Sequence, residues 1–208
     1  MSATSASLAP ESAVPALVWL AQVFWGPDPQ QGRALIASVP ALESLAEILG
    51  PDAAGPAREL AAWLAAHPDP AALCRELEPA HVALFIARPG GVAAPPYQSC
   101  YQDQGLLMGP PAREMALRLE DAGLALARAG EPPDHLAAEL EYLAHLLTDP
   151  AAAEPARDFA SRQMLPWVAR LARRLAAEPG CPFYALAAAL AVALLGALTA
   201  GPGPPPST

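Results

Sequence analysis

The sequence predicts an all-α protein, built as a single-domain bundle of about nine helices. Apolar residues recur at every third or fourth position, as between Leu136 and Leu147, and no stretch shows the period-two alternation of a strand. Proline and glycine pairs such as Pro132-Pro133 separate these stretches, and they end one helix before the next begins. Because hydrophobic residues make up 53% of 208 residues, the chain can bury a sizeable core.

The predicted helices follow one another closely, and the one long interruption is the stretch 89–109. A loop of that length inside a helical domain is often functional. Residues 1–9 and 201–208 are expected to be disordered tails on a domain that spans residues 10–200. The predicted helices span residues 11–25, 30–38, 41–49, 54–66, 70–87, 111–128, 133–147, 154–177 and 182–199.

The last predicted helix contains an uncharged apolar stretch, residues 183–200, which is about long enough to cross a membrane. It is rich in alanine, which partitions weakly into lipid, and it has no tryptophan or lysine anchors. A central helix covered by its neighbours gives the same pattern. We therefore expect a buried helix and no stable membrane insertion.

Composition excludes several classes of function. A net charge of −9 argues against a nucleic-acid partner, which requires a basic surface. The three cysteines have no CxxC spacing, and the sequence lacks the common phosphate-binding, HExxH and GxSxG motifs. We expect neither a metal nor a cofactor. Because no basic region precedes the first apolar stretch, we expect a cytoplasmic protein.

The start of the predicted helix 133–147 carries an Asp134-His135 pair. Asp134 is expected at the cap or in the first turn, where a carboxylate meets unpaired backbone N–H groups. His135 and Glu139 lie one turn apart, and ordinary pairing on the helix surface explains them better than metal binding. The cluster is either a functional site or only a well-capped helix.

Two further segments stand out. In Pro95-Pro96-Tyr97-Gln98-Ser99-Cys100-Tyr101 the two tyrosines are four residues apart, and they either line a groove or fix the loop to the core. Leu165-Pro166-Trp167 places a proline inside the predicted helix 154–177. We expect a kink there, with the tryptophan packed in the core at the bend.

Taken in order, these segments resemble the TorD/DmsD family of molybdoenzyme assembly chaperones, with the NarJ type as a more distant relative. The resemblance extends over roughly residues 15–199. It rests on Pro96-Tyr97-Gln98-Ser99-Cys100-Tyr101, Pro133-Asp134-His135-Leu136 with Glu139-Leu140, Leu165-Pro166-Trp167 and Phe183-Tyr184.

The resemblance implies a cytoplasmic, all-helical chaperone without enzymatic activity. It would bind the N-terminal leader, often of twin-arginine type, of the catalytic subunit of a molybdopterin oxidoreductase until cofactor insertion and assembly or export. It also allows a homodimer. The leader-binding residues that the resemblance implies are Tyr97, Ser99, Tyr101, Pro133, Asp134, His135 and Glu139.

An apolar groove would supply most of the affinity for such a leader, while Asp134 and Glu139 would set its register against the leader arginines. Two alternatives remain. The first is a helical interaction scaffold in which the Asp134-His135 segment is only a helix cap. The second is a hydrolase that uses His135 as its base. This alternative is the weaker one, because Asp134 is poorly placed to orient His135.

Overall fold

The computed structural model describes residues 8–28, 31–88, 90–102, 105–126, 128 and 130–200, and these form ten α-helices without a β-strand. The all-α prediction is confirmed. The helices are α1 Pro10–Trp25, α2 Gln31–Ala37, α3 Val39–Leu49, α4 Gly55–Ala65, α5 Pro70–His81, α6 Pro110–Asp121, α7 Leu136–Leu147, α8 Ala153–Asp158, α9 Leu165–Ala177 and α10 Pro182–Thr199.

One continuous core joins these helices. The longest interface is between α1 and α7, and α10 packs against α9, α4 and α1. The outer helices α2 and α3 cover α5 and α4 respectively. The partnership of α1 with α7 matters most for function, because α7 begins at the Asp134-His135 pair.

The C-terminal helix α10 is a core helix, as predicted. By length and composition it is the one helix among the described residues that is apolar enough to cross a membrane. Half of its residues are buried inside the protein, and every residue from Phe183 to Thr199 is at least partly covered. Its alanines allow α9 and α4 to approach closely.

The helical run around Pro166 contains a widened, π-helical segment. Residues Phe159–Met164 connect α8 to α9, so the predicted single helix 154–177 is one helical run with a π-helical middle. Pro166 follows as the second residue of α9, and because it has no N–H, it cannot donate the regular helical hydrogen bond at that position. The run delivers Trp167 to the core.

Helix α6 is shorter than predicted, because it ends at Asp121 and not near residue 128. Gly123 adopts a φ of +67°, its N–H bonds to the carbonyl of Glu120, and the N–H of Leu124 bonds to that of Leu119. These two bonds are the Schellman pattern that terminates helices. The chain therefore leaves the helix direction after Gly123, and Arg128 in the following connection contacts the indole of Trp25 in α1.

The described residues begin before the predicted domain boundary at residue 10. Leu8 is only 4% exposed and belongs to the core, and Ala9 caps α1. The rest of the predicted tails, residues 1–7 and 201–208, lies outside the described residues. The long loop 89–109 contains one 3₁₀ turn, Gln98–Tyr101, among its described residues.

Candidate functional site

The loop before α6 crosses the start of α7 and bonds to it. Tyr97 and His135 form an isolated antiparallel bridge. The N–H of Gln98 donates to the carbonyl of Asp134 at 3.0 Å, and the N–H of Leu136 donates to that of Pro96 at 2.8 Å. Backbone pairing therefore joins two segments that are far apart in sequence, and the resemblance had marked both of them.

His135, and not Asp134, caps α7. The Nδ1 atom of His135 accepts a hydrogen bond from the N–H of Ala137 at 3.1 Å, and the helix begins at Leu136. The carboxylate of Asp134 instead accepts from the N–H of Ser99 at 2.8 Å. The expectation that Asp134 lies at the cap or in the first turn is wrong, because its carboxylate turns inward to hold the loop.

Glu139 lies inside the protein and does not pair with His135 on the helix surface. It is fully buried, and its Oε2 accepts a hydrogen bond from the indole Nε1 of Trp167 at 3.0 Å. Tyr101 packs against the same indole, with 5.6 Å between ring centroids. Trp167 is thus a core residue, as predicted, but it also carries the hydrogen bond that positions a candidate site residue.

Unpartnered polar atoms concentrate around this crossing. Among the described residues, five buried side-chain N or O atoms have no hydrogen-bond partner. Four of them belong to the crossing, and buried polar groups without a protein partner are places where a bound water or a polar group of a ligand is accommodated. These four are Ser99 Oγ, Tyr101 OH, Asp134 Oδ1 and Glu139 Oε1.

Three rings stack over the start of α7. The indole of Trp25, the last residue of α1, lies parallel to the imidazole of His135, with centroids 4.5 Å apart and an angle of 3° between the planes. Tyr97 meets the same imidazole edge to face at 5.2 Å. We call Trp25, His135 and Tyr97 the aromatic stack. It covers His135, which is 5% exposed.

Charged groups flank the aromatic stack. The guanidinium of Arg128 lies over the indole of Trp25, 5.0 Å from its centroid. The carboxylate of Glu141 accepts from Trp25 Nε1 at 2.8 Å, and that of Glu131 accepts from the hydroxyl of Tyr97 at 2.5 Å. Glu141 is exposed and Glu131 is half-buried. Of the four carboxylates described at this site, these two are therefore the ones that are not buried.

Burial shifts the pKa values of His135 and Glu139 in opposite directions, and both shifts favour the neutral form. Desolvation, with smaller contributions from His81 and Arg128, lowers the pKa of His135 to about 3, so the imidazole is neutral at physiological pH. Desolvation raises the pKa of Glu139 well above its usual range, although the Trp167 hydrogen bond opposes this. The site therefore holds less charge than its residue types suggest.

The structure brings all seven residues that the resemblance implied into one region, although not into an open groove. Asp134 and Glu139 are 0% exposed, whereas the sequence analysis placed them where leader arginines can reach them. The sequence analysis did not single out Trp25, Arg128, Glu131 or Glu141. A tryptophan directly before Gly26-Pro27, at a helix end, was the available signal for the first of them.

The arrangement does not suit a histidine-dependent hydrolase. The Asp134 carboxylate is bonded to Ser99 and not to the imidazole of His135, whose Nδ1 is already used as the helix cap. Burial also raises the pKa of the neighbouring Cys100 thiol, which makes it a poorer nucleophile. In the part of the chain that the structure describes, no three potential metal ligands lie together.

Comparison with known proteins defines the class. A family model described as the nitrate reductase delta subunit matches residues 49–173, more than half of the chain. The chain therefore belongs to the nitrate reductase delta subunit family, and the resemblance to TorD-, DmsD- and NarJ-type proteins is confirmed. The match includes the loop crossing, α7 and Trp167.

Individual relatives agree with this assignment. A chaperone protein TorD from Vibrio cholerae serotype O1 (strain ATCC 39541) is 36% identical over 114 residues, which are 50% of this chain and 52% of the relative. One from Photobacterium profundum is 29% identical over 130 residues, 57% of this chain and 60% of the relative. The chain thus spans about half the length of the curated relatives it matches.

A solved structure shares the fold. The crystal structure of a candidate redox enzyme maturation protein from Archaeoglobus fulgidus superposes with a TM-score of 0.53 over 88% of this chain and 90% of that one. The sequences are 24% identical. At that identity the likeness establishes the helical architecture alone.

Proposed function

We propose that this protein is a cytoplasmic, non-enzymatic maturation chaperone. It binds the N-terminal leader of a molybdopterin oxidoreductase catalytic subunit and holds it until cofactor insertion and assembly or export. Membership of the nitrate reductase delta subunit family and similarity to proteins named chaperone protein TorD support this proposal.

The cluster of four unpartnered polar atoms at the loop crossing carries the assignment of the site. Leaving buried polar groups unpaired costs free energy, roughly 1–3 kcal/mol for each group. Four such groups at one crossing offer several hydrogen bonds to a bound peptide or to the water that it displaces. A peptide offers both backbone N–H and carbonyl groups, and so satisfies donors and acceptors alike.

The seven residues of the proposed leader-binding site have two different roles. Tyr97 and His135 form the covering surface with Pro133 at its edge, and Ser99, Tyr101, Asp134 and Glu139 hold the loop against α7 from beneath. Since Asp134 and Glu139 are fully buried, a leader reaches them only if the side chains that cover them move.

An apolar groove suits the hydrophobic part of a leader. A cavity of about 400 Å³ lies between α1, α3 and α10, and its walls include Pro15, Trp19, Leu42 and Leu45. The fifth unpartnered atom is Nε1 of Trp19, which is a donor suited to a peptide carbonyl. Burying apolar side chains there would contribute about 0.8 kcal/mol per CH₂ group.

Purification of the tagged chain from its native host tests the proposal. We expect an apo molybdopterin oxidoreductase subunit to co-purify, and removal of that subunit's leader to abolish the association. Retention of the leaderless subunit would favour a general interaction scaffold. Release of a hydrolysis product from any bound molecule would favour the enzyme alternative.

A variant for this experiment must not remove a structural bond. The Asp134→Ala substitution removes the acceptor of the Ser99 N–H, so it is expected to destabilise the fold as well as weaken binding. Asp134→Asn keeps a carbonyl oxygen for Ser99 and removes the charge. We expect Asp134→Asn to melt close to wild type and to bind the leader more weakly. Unchanged affinity would remove Asp134 from the site.

A further inference from the structure

The guanidinium of Arg128 covers one face of the Trp25 indole without forming an ion pair. It lies 5.0 Å from the ring centroid, and among the described residues no carboxylate lies within salt-bridge distance of it. The side chain is exposed and follows the Schellman end of α6. It is therefore held on the ring mainly by a cation–π contact.

The same indole is bordered by a carboxylate. Glu141 accepts a hydrogen bond from the N–H of Trp25, at the edge of the ring whose face Arg128 covers. An aromatic face with a carboxylate at its border is the environment that a guanidinium prefers, since it stacks on the ring and donates in its own plane. Arg128 uses the face and does not pair with the carboxylate.

We propose that the Trp25 face, with Glu141 at its edge, is a guanidinium subsite for an arginine of the leader, and that Arg128 is its internal occupant. The inference rests on the proposed function. A leader arginine is not tethered to the α6–α7 connection, so it can stack on Trp25 and pair with a carboxylate simultaneously. Arg128 must leave the ring before that arginine binds.

The competition sets the size of the effect. An exposed cation–π contact favours the state in which Arg128 covers the Trp25 ring by a factor of about two to five. The apparent affinity for the leader is lowered in proportion to the fraction of molecules in which the ring is free. Removal of the guanidinium is therefore expected to tighten leader binding about three- to six-fold. Removal of a structural arginine would weaken binding instead.

Titration calorimetry with two synthetic peptides tests the proposal. One peptide carries an Arg-Arg pair ahead of an apolar segment, and in the other Gln-Gln replaces the pair. The proteins are wild type, Arg128→Gln and Arg113→Gln. Arg113 is exposed on α6, so its substitution makes the same change in net charge at a distance from the subsite. We expect only Arg128→Gln to tighten binding, and only for the Arg-Arg peptide.

The remaining outcomes separate the inference from the proposed function. If wild type binds the Arg-Arg peptide and Arg128→Gln gains nothing, the subsite is wrong while the function stands. An equal gain for both peptides also overturns it, because the gain is then not owed to a guanidinium. If no protein binds either peptide, both the inference and the proposed function fail.

A second variant examines the ring itself. Trp25→Phe keeps an aromatic ring over His135 but removes the N–H that holds Glu141 and weakens the cation–π face. We expect this variant to bind the two peptides more nearly equally than wild type does, with unchanged helical circular dichroism. Undiminished preference for the Arg-Arg peptide would exclude Trp25 as the platform.

Discussion

At the scale of single residues, His135 has structural roles that depend on its being neutral. Its Nδ1 accepts the capping bond from Ala137, and its ring lies between Trp25 and Tyr97. Protonation would put a second donor where an acceptor is needed and a charge where burial excludes one. The lowered pKa is the consequence of these contacts.

We predict that His135 makes the fold acid-sensitive. The pKa of about 3 in the folded protein is below the usual 6.5, so the folded state binds fewer protons than the unfolded state between these values. Stability is then lost as the pH falls from 6.5 towards 3, by at most about 1.4 kcal/mol per pH unit. Urea unfolding of His135→Asn, which retains a good N-cap residue, should show a shallower loss than wild type.

His145→Asn is the matched control, because this histidine lies exposed near the other end of α7. It removes an imidazole without touching the aromatic stack. Equal pH dependence of unfolding in wild type and His135→Asn would contradict the assignment of acid sensitivity to His135.

The effect of Glu139 on the pH dependence of stability is opposite to that of His135. Its pKa is raised by burial, so the folded state binds more protons than the unfolded state and stability falls as the pH rises from about 4.3 through the folded pKa. Glu139→Gln keeps an oxygen for the Trp167 N–H and carries no charge. We predict that it is more stable than wild type at pH 8 and similar near pH 4.

Thermal unfolding at the two pH values measures this difference. Glu114→Gln on the exposed side of α6 is the control for loss of a carboxylate. If Glu139→Gln is less stable than wild type at pH 8, the partners of the Glu139 carboxylate stabilise it by more than its burial costs.

At the scale of elements, the end of α1 decides where Trp25 lies. Gly26 ends the helix with a φ of +99°, and a Cβ placed on it would lie 2.8 Å from the ring of His81. The chain turns away immediately after Trp25, which leaves the indole beside α7. Because α1 packs along α7, the indole then lies on the ring of His135.

We predict that Gly26→Ala lowers the free energy of unfolding by roughly 1–3 kcal/mol through backbone strain and the clash with His81. Gly55→Ala is the control, because Gly55 is helical and a Cβ there meets nothing within 4 Å. That control should be neutral or stabilised by about 0.4–1 kcal/mol. Similar losses in both variants would mean that His81 does not restrict this turn.

At the scale of the whole molecule, α10 is the centre of the core, and its fully buried leucines face α1, α4 and α9. We predict that Leu194→Ala costs about 2–5 kcal/mol in urea unfolding, because a tightly packed core relaxes only partly around a cavity. Leu117→Ala, at a leucine 60% exposed on α6, should stay within about 0.5 kcal/mol of wild type. A small loss for Leu194→Ala would mean that α10 is loosely packed.

The sequence predicted the helices well and their interruptions less well. Most predicted bounds agree with the structure to within a few residues, because helix formation depends on neighbours three or four positions away. The predicted end of α6 was wrong because Gly123, inside the periodic pattern, terminates the helix through a Schellman turn. The proline at 166 marked an irregularity in the predicted helix 154–177, but it did not predict its form, a π-helical segment over Phe159–Met164.

The sequence alone determined the fold class, the order of the helices and the family, because these follow from local periodicity and from motifs that are contiguous in the chain. Only the tertiary structure decided which groups meet: Asp134 with Ser99, Glu139 with Trp167, and Trp25 with His135. Those contacts depend on how α1, α7 and α9 pack. Packing also buries the carboxylates that the sequence placed at the surface, and leaves Glu141 exposed and Glu131 partly exposed.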